Sequence, residues 1–183
     1  MRWEELFADL EAHGEAAAAV ELAAEVSERA RIETAALHFT DRLRPAQGHR
    51  VVVATVGATV RGLLLAVGSD WVLLEIEGSR QALVRLGAVL GVTGLGAHSS
   101  APGSQGRVAA RLGLASALRA VARDRAPVVI TRIDGSSLSG TVDRVGGDFL
   151  EIAEHPIGEA RRKGAISDVR TVPFTALAIV GSG

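Results

Sequence analysis

The chain has 183 residues, of which 48% are hydrophobic and 22% charged, with a net charge of −1. That length suits one domain or two small ones of ordinary globular composition. It holds no cysteine, which excludes disulfides, thiolate metal sites and cysteine nucleophiles. No apolar run approaches the ~20 residues of a membrane-spanning helix. The start, Met1-Arg2-Trp3-Glu4-Glu5, lacks the basic-then-apolar pattern of a secretory signal. The expectation is a cytoplasmic protein with no membrane partner. Aromatic residues make up only 3%, so the cores must be built from Val, Leu, Ile and Ala.

Residues 1–49 form an N-terminal helical segment in this reading. Proline is absent before Pro45, and Ala, Glu and Leu, all strong helix formers, dominate residues 2–44. Trp3, Leu6, Phe7 and Leu10 recur at helical spacing, and Glu4 and Glu5 suit the positive end of the helix dipole. A helix of that length would reach roughly 60 Å, so it bends at Gly14 or projects toward another subunit. The segment carries five Arg against ten acidic residues.

Residues 50–95 read as five short strands: 50–55, 59–67, 70–77, 81–85 and 89–93. Gly/Ser turns separate them at short, even spacing, the mark of a small barrel rather than a layered α/β fold. Residues 96–106 have the composition of a flexible linker. Residues 107–183 hold a second helix, 107–124, and a second β unit that resumes after Pro127. The stretch 96–127 carries five Arg against one Asp. An acidic first helix could dock on the arginine-rich helix of a partner.

The β unit occurs twice. Gly57, Gly62, Val67, Gly68, Asp70 and Trp71 are matched by Gly135, Gly140, Val145, Gly146, Asp148 and Phe149, each 78 residues later. Beyond an insertion near residues 154–170, Val84–Val92 is matched by Val172–Val180 at a spacing of 88, so the insertion is ten residues long. Gly57 and Gly135 suit turns that need positive φ. Gly62 and Gly140 suit a sharp bend where a small sheet curls. Asp70 and Asp148 suit hydrogen bonds to their own turns.

The pattern Gly-x4-Gly-x7-Asp before an apolar strand resembles the first motif of the Sm-like family, which includes the Sm and LSm proteins and Hfq. Val84-Arg85-Leu86-Gly87-Ala88-Val89 is similar to its second motif. Other SH3-like barrels, including PRC-barrel domains, share comparable glycine spacing with the second copy. The implied fold is α+β, mainly β: two tandem five-stranded SH3-like or Sm-like small barrels, each preceded by α-helix. The family implies edge-to-edge strand pairing between units, here within the chain as a built-in pseudo-dimer and then between chains. It also implies a base stacked on Trp71 or Phe149 and read by Arg85. The family's asparagine is replaced by Leu73 and Glu151, and Pro173 stands where the second copy would carry the arginine. Trp71 and Phe149 read equally well as core or interface residues.

Phosphate contact would fall to Arg107 and Arg111 of the second helix and to Arg161, Arg162 and Lys163 of the inserted loop. His13, His38, His49, His98 and His155 lack metal-ligand spacing, and no phosphate loop or nucleophile–base pair stands out. The expectation is therefore a non-enzymatic protein without cofactor or metal. It is either an RNA- or DNA-binding regulator or a protein-interaction and assembly module that self-associates through barrel edges or its N-terminal helix.

Overall fold

The computed structural model describes residues 3–77, 80–101, 112–156 and 168–182. Arg107, Arg111, Arg161, Arg162 and Lys163 lie outside the described residues. The chain divides after His38 into two units.

The first unit is helix α1, Trp3–Ala35. It runs straight through Gly14, where an interruption is anticipated. One interior glycine costs only ~1 kcal/mol, too little to break a helix otherwise rich in Ala and Glu. The predicted continuation to residue 44 fails instead at residues 36–38. There the Ala36 and Leu37 N–H groups tighten onto Glu33 and Thr34 carbonyls three residues back. Residues 18–36 are exposed, Val20, Leu22, Val26 and Ile32 among them.

The second unit opens with the short helix α2, Phe39–Leu43, and a 3₁₀ turn, Arg44–Ala46. Among the described residues ten strands follow, with one α-helix between the fifth and sixth. They are β1 (Arg50–Thr55), β2 (Ala58–Val67), β3 (Trp71–Glu75), β4 (Gln81–Arg85), β5 (Val89–Thr93), α3 (Leu114–Asp124), β6 (Pro127–Arg132), β7 (Ser137–Val145), β8 (Phe149–Glu154), β9 (Asp168–Pro173) and β10 (Leu177–Ser182). Residues 96–99, at the start of the predicted linker, lie along α2. The Arg42 guanidinium donates to the carbonyls of Gly96, at 2.9 Å, Ala97 and His98, and to the Ser99 hydroxyl.

The fold is α+β and mainly β, but the strands make one open antiparallel sheet rather than two separate barrels. Its order is β5-β1-β2-β3-β4-β10-β6-β7-β8-β9. Each half runs fifth, first, second, third, fourth, so the duplication read from the glycines is a duplication of topology. The register repeats as well: Trp71 faces Arg85 and Val72 faces Val84, as Phe149 faces Pro173 and Leu150 faces Val172. Both second strands shift register at the same place, between Leu64 and Ala66 and between Val142 and Arg144. The halves merge because strand four of the first finds its backbone partner in strand five of the second.

Alternating burial follows from the two-residue period of a strand. One cluster gathers Val51, Val53, Leu64, Val72, Leu74 and Val84, plugged by Leu43 and Ala46 from the α2 segment. The other gathers Val128, Ile130, Val142, Leu150 and Ile152, plugged by Leu114 and Leu118 of α3. Each half therefore carries its own helical plug. The strands at the junction serve both clusters: Leu83 of β4 belongs to the second, while Ala178 and Ile179 of β10 belong to the first. At ~1.5–3 kcal/mol per fully buried aliphatic side chain, this sharing ties the halves into one cooperative unit.

Candidate functional site

The feature that organises the second unit is the joint between its halves. Strand β4 pairs with β10 through Ala82 with Gly181, Leu83 with Val180 and Val84 with Ile179. The Gln81 N–H extends the ladder by donating to the Ser182 hydroxyl at 2.9 Å. Alternate side chains drop into different cores, which fixes the register, since a one-residue slip would turn them to the wrong face.

Arg85 closes one end of the joint. Its Nε donates to the Leu177 carbonyl at 2.8 Å and its Nη2 to the Thr175 carbonyl at 3.1 Å. The planar guanidinium fork suits two neighbouring carbonyl oxygens. It also lies against Gly87, where an added Cβ would collide with the guanidinium. The second copy departs at both positions together, with Pro173 in place of Arg85 and Thr175 in place of Gly87. The clamp and the space it needs thus occur once, at the internal joint.

Two contacts from the start of β3 secure the entry to α3. An Asp70 carboxylate oxygen accepts the Leu114 N–H at 2.8 Å, and the Trp71 indole N–H donates to the Leu112 carbonyl at 2.7 Å. Gly113 is the cap residue of α3 and has no side chain to satisfy the exposed N–H groups. Asp70 does so from the other half of the molecule, and a carboxylate there also suits the helix dipole. At the opposite side of the joint the hairpin tips meet. Gly57 and Gly135 have φ of +76° and +82°, and a Cβ on Gly57 would lie 2.6 Å from the Gly135 Cα. Glycine is required there both for its left-handed backbone and for that approach.

These contacts locate the candidates drawn from the sequence. Trp71 and Phe149 are half-buried at matching places, each ring lying over the glycine of the Val-Gly step, Gly68 and Gly146. The Gly68 and Gly146 N–H groups donate to the Trp71 and Phe149 carbonyls, both at 2.8 Å. Leu86 and Phe174 donate in the same way to the Asp70 and Asp148 carbonyls. Trp71 and Arg85 are brought opposite one another by strand register. Phe149 stands in the other half, opposite Pro173. Sequence reasoning assigns Asp70 to its own turn backbone; in the structure its carboxylate accepts from the Ser69 hydroxyl and from the Leu114 N–H, which caps a helix across the joint. The paired change from Arg85 and Gly87 to Pro173 and Thr175 was the available signal for the clamp.

Among the described residues the joint leaves two strand edges without a strand partner, β5 and β9, and these correspond to β10 and β4. Leu90 on β5 is 71% exposed, while its counterpart Ala178 is 1% exposed. Strand β9 shows Val169 together with Arg170, which is hydrogen-bonded to Glu154 across to β8. The hydrogen bond and charge of Glu154 raise the Arg170 guanidinium above its ordinary range. Among the described residues, no cluster of three or more His, Asp or Glu could hold a metal, and no helix is long and apolar enough to cross a membrane. Comparisons with protein-family models, curated proteins and solved structures returned no match for the chain.

Proposed function

We propose that the second unit is a pair of divergent Sm-like small-barrel units fused in one chain, and that it works as a non-enzymatic assembly module. Copies would join head to tail, β9 of one against β5 of the next. The supporting observation is the β4–β10 pairing: the two free edges are the counterparts of the two strands already joined within the chain. Carrying the internal register over by the 88-residue spacing sets Val172 opposite Gly91, Thr171 opposite Val92 and Arg170 opposite Thr93. Exposed strand edges present unpaired backbone donors and acceptors that favour such addition. The contact is heterologous, so it closes into a ring or continues as a filament.

The nucleic-acid reading has less support from geometry. Trp71 and Arg85 spend polar groups on the joint, and Arg107, Arg111, Arg161, Arg162 and Lys163 fall outside the described residues. The assembly reading is tested by hydrogen exchange at rising protein concentration. Amides of residues 89–93 and 168–172 should become more protected as concentration rises, while those of β4 and β10 stay constant. Concentration-independent exchange at both edges would remove the proposal.

A further inference from the structure

A cleft of about 490 Å³ runs along the joint, floored by Ala82 and Ile179 and walled by Val60 of β2 and Val129 of β6. We propose that this cleft is a binding site for a small organic phosphate, a phosphate monoester carried on an apolar or planar body. Its volume falls within the range of small-molecule sites, and its lining has the usual make-up of apolar walls with a few polar groups. Two of the lining residues are arginines, Arg61 on β2 and Arg80 just before β4, and both are exposed. Among the described residues neither pairs with a carboxylate. Arg80 spends only its Nε, on the Glu77 main-chain carbonyl at 3.3 Å. Two planar cationic forks offer the bidentate donors a phosphate ester takes. Glu77 also lines the cleft and carries a carboxylate. It can accept from a hydroxyl or amino group on the ligand body, while the site keeps a net positive charge.

The repeat shows that this chemistry is not a by-product of the fold. Arg61 stands inside the Gly57–Gly62 motif, where the second copy has Ser139 at the matching place. Glu77 is matched by His155, which is 3% exposed and bonded to Thr141 and to the Pro156 carbonyl. The framework glycines are shared, whereas the charged groups of the cleft belong to the first copy alone. The cleft lies within one chain, so its test does not depend on whether chains associate.

Calorimetric titration of the full chain with AMP, adenosine, inorganic phosphate and a short oligonucleotide bearing a terminal phosphate tests the proposal. AMP should bind, with adenosine and inorganic phosphate each weaker by about tenfold or more. Arg61→Ala and Arg80→Ala should each weaken AMP by about tenfold, and Arg123→Ala, on exposed α3 surface, should change nothing. Both variants should melt as the parent does, since both side chains are exposed. If the oligonucleotide binds as tightly as AMP and needs both arginines, the ligand is a nucleic-acid end. If AMP alone binds, it is a free nucleotide-like molecule. No AMP binding at millimolar concentration, AMP binding indifferent to both arginines, or inorganic phosphate binding as tightly as AMP would each overturn the proposal.

Discussion

Strand β4 meets β10 over Ala82, Leu83 and Val84, whereas the same three positions on the free strand β9 are Arg170, Thr171 and Val172. Only the last is unchanged, and it is buried in both places, at 0% and 2% exposure. The inward-facing position serves the core of its own half and so is the same in both. Ala82 packs in that same core, while Leu83 reaches into the core of the half across the edge. At the joint that neighbour is fixed by covalent linkage, and the side chains are apolar. At the free edge they are a charge and a hydroxyl, which discourage indiscriminate strand pairing. Arg85 and Gly87 against Pro173 and Thr175 tell the same story: the internal joint is clamped and the free edge is not. An association through the free edges should therefore be weaker than the internal joint and reversible.

The largest effect should come from making the joint resemble the edge. Leu83→Thr removes buried apolar volume and introduces a hydroxyl without a designed partner, at a cost of about 2–4 kcal/mol, read by urea unfolding. The mirror change, Thr171→Leu, should leave unfolding nearly unaltered and strengthen self-association. Arg85→Ala comes next. It frees the Leu177 and Thr175 carbonyls and should cost about 2 kcal/mol. Gly87→Ala crowds the same guanidinium, so the double variant should be scarcely worse than either single one. Additive losses would mean that Gly87 acts elsewhere. Installing the clamp at the free edge, with Pro173→Arg and Thr175→Gly together, should tighten self-association by about tenfold in sedimentation equilibrium. The smallest expected effect is the most specific to register. Thr93→Glu, set opposite Arg170, should strengthen association roughly two- to fivefold, and Thr93→Arg should weaken it to a similar degree. Exchanging Arg170 for Glu should reverse both signs.

Much of the fold was legible from local chemistry. The evenly spaced Gly/Ser turns mark strands at 50–55, 81–85 and 89–93, and the structure places strands at those positions. The 78- and 88-residue spacings carry over into matched registers and a matched bulge. Local chemistry failed where a decision depends on distant groups. Gly14 looks like a helix breaker, yet the surrounding propensity outweighs it, and the break falls at residues 36–38, which no Pro or Gly announces. Separate barrels looked natural for each half, but the backbone of β4 is satisfied by β10, a strand about one hundred residues further on, as the 101-residue separation of the Gln81–Ser182 contact shows. The roles of the candidate residues were hidden for the same reason. Nothing near Asp70 in the sequence reveals that the helix it caps begins at Leu114. Nothing in the sequence singles out Arg61 and Arg80, because the cleft they line takes its other wall from β6 and β10.

Sedimentation velocity on the full chain, over a hundredfold range of concentration, tests the head-to-tail account most directly. The account predicts species at whole multiples of 19.0 kDa that grow with concentration and that Thr93→Arg shifts back toward the single chain. A 19.0 kDa species alone at every concentration, or an assembly unmoved by any change at β5 or β9, would contradict it.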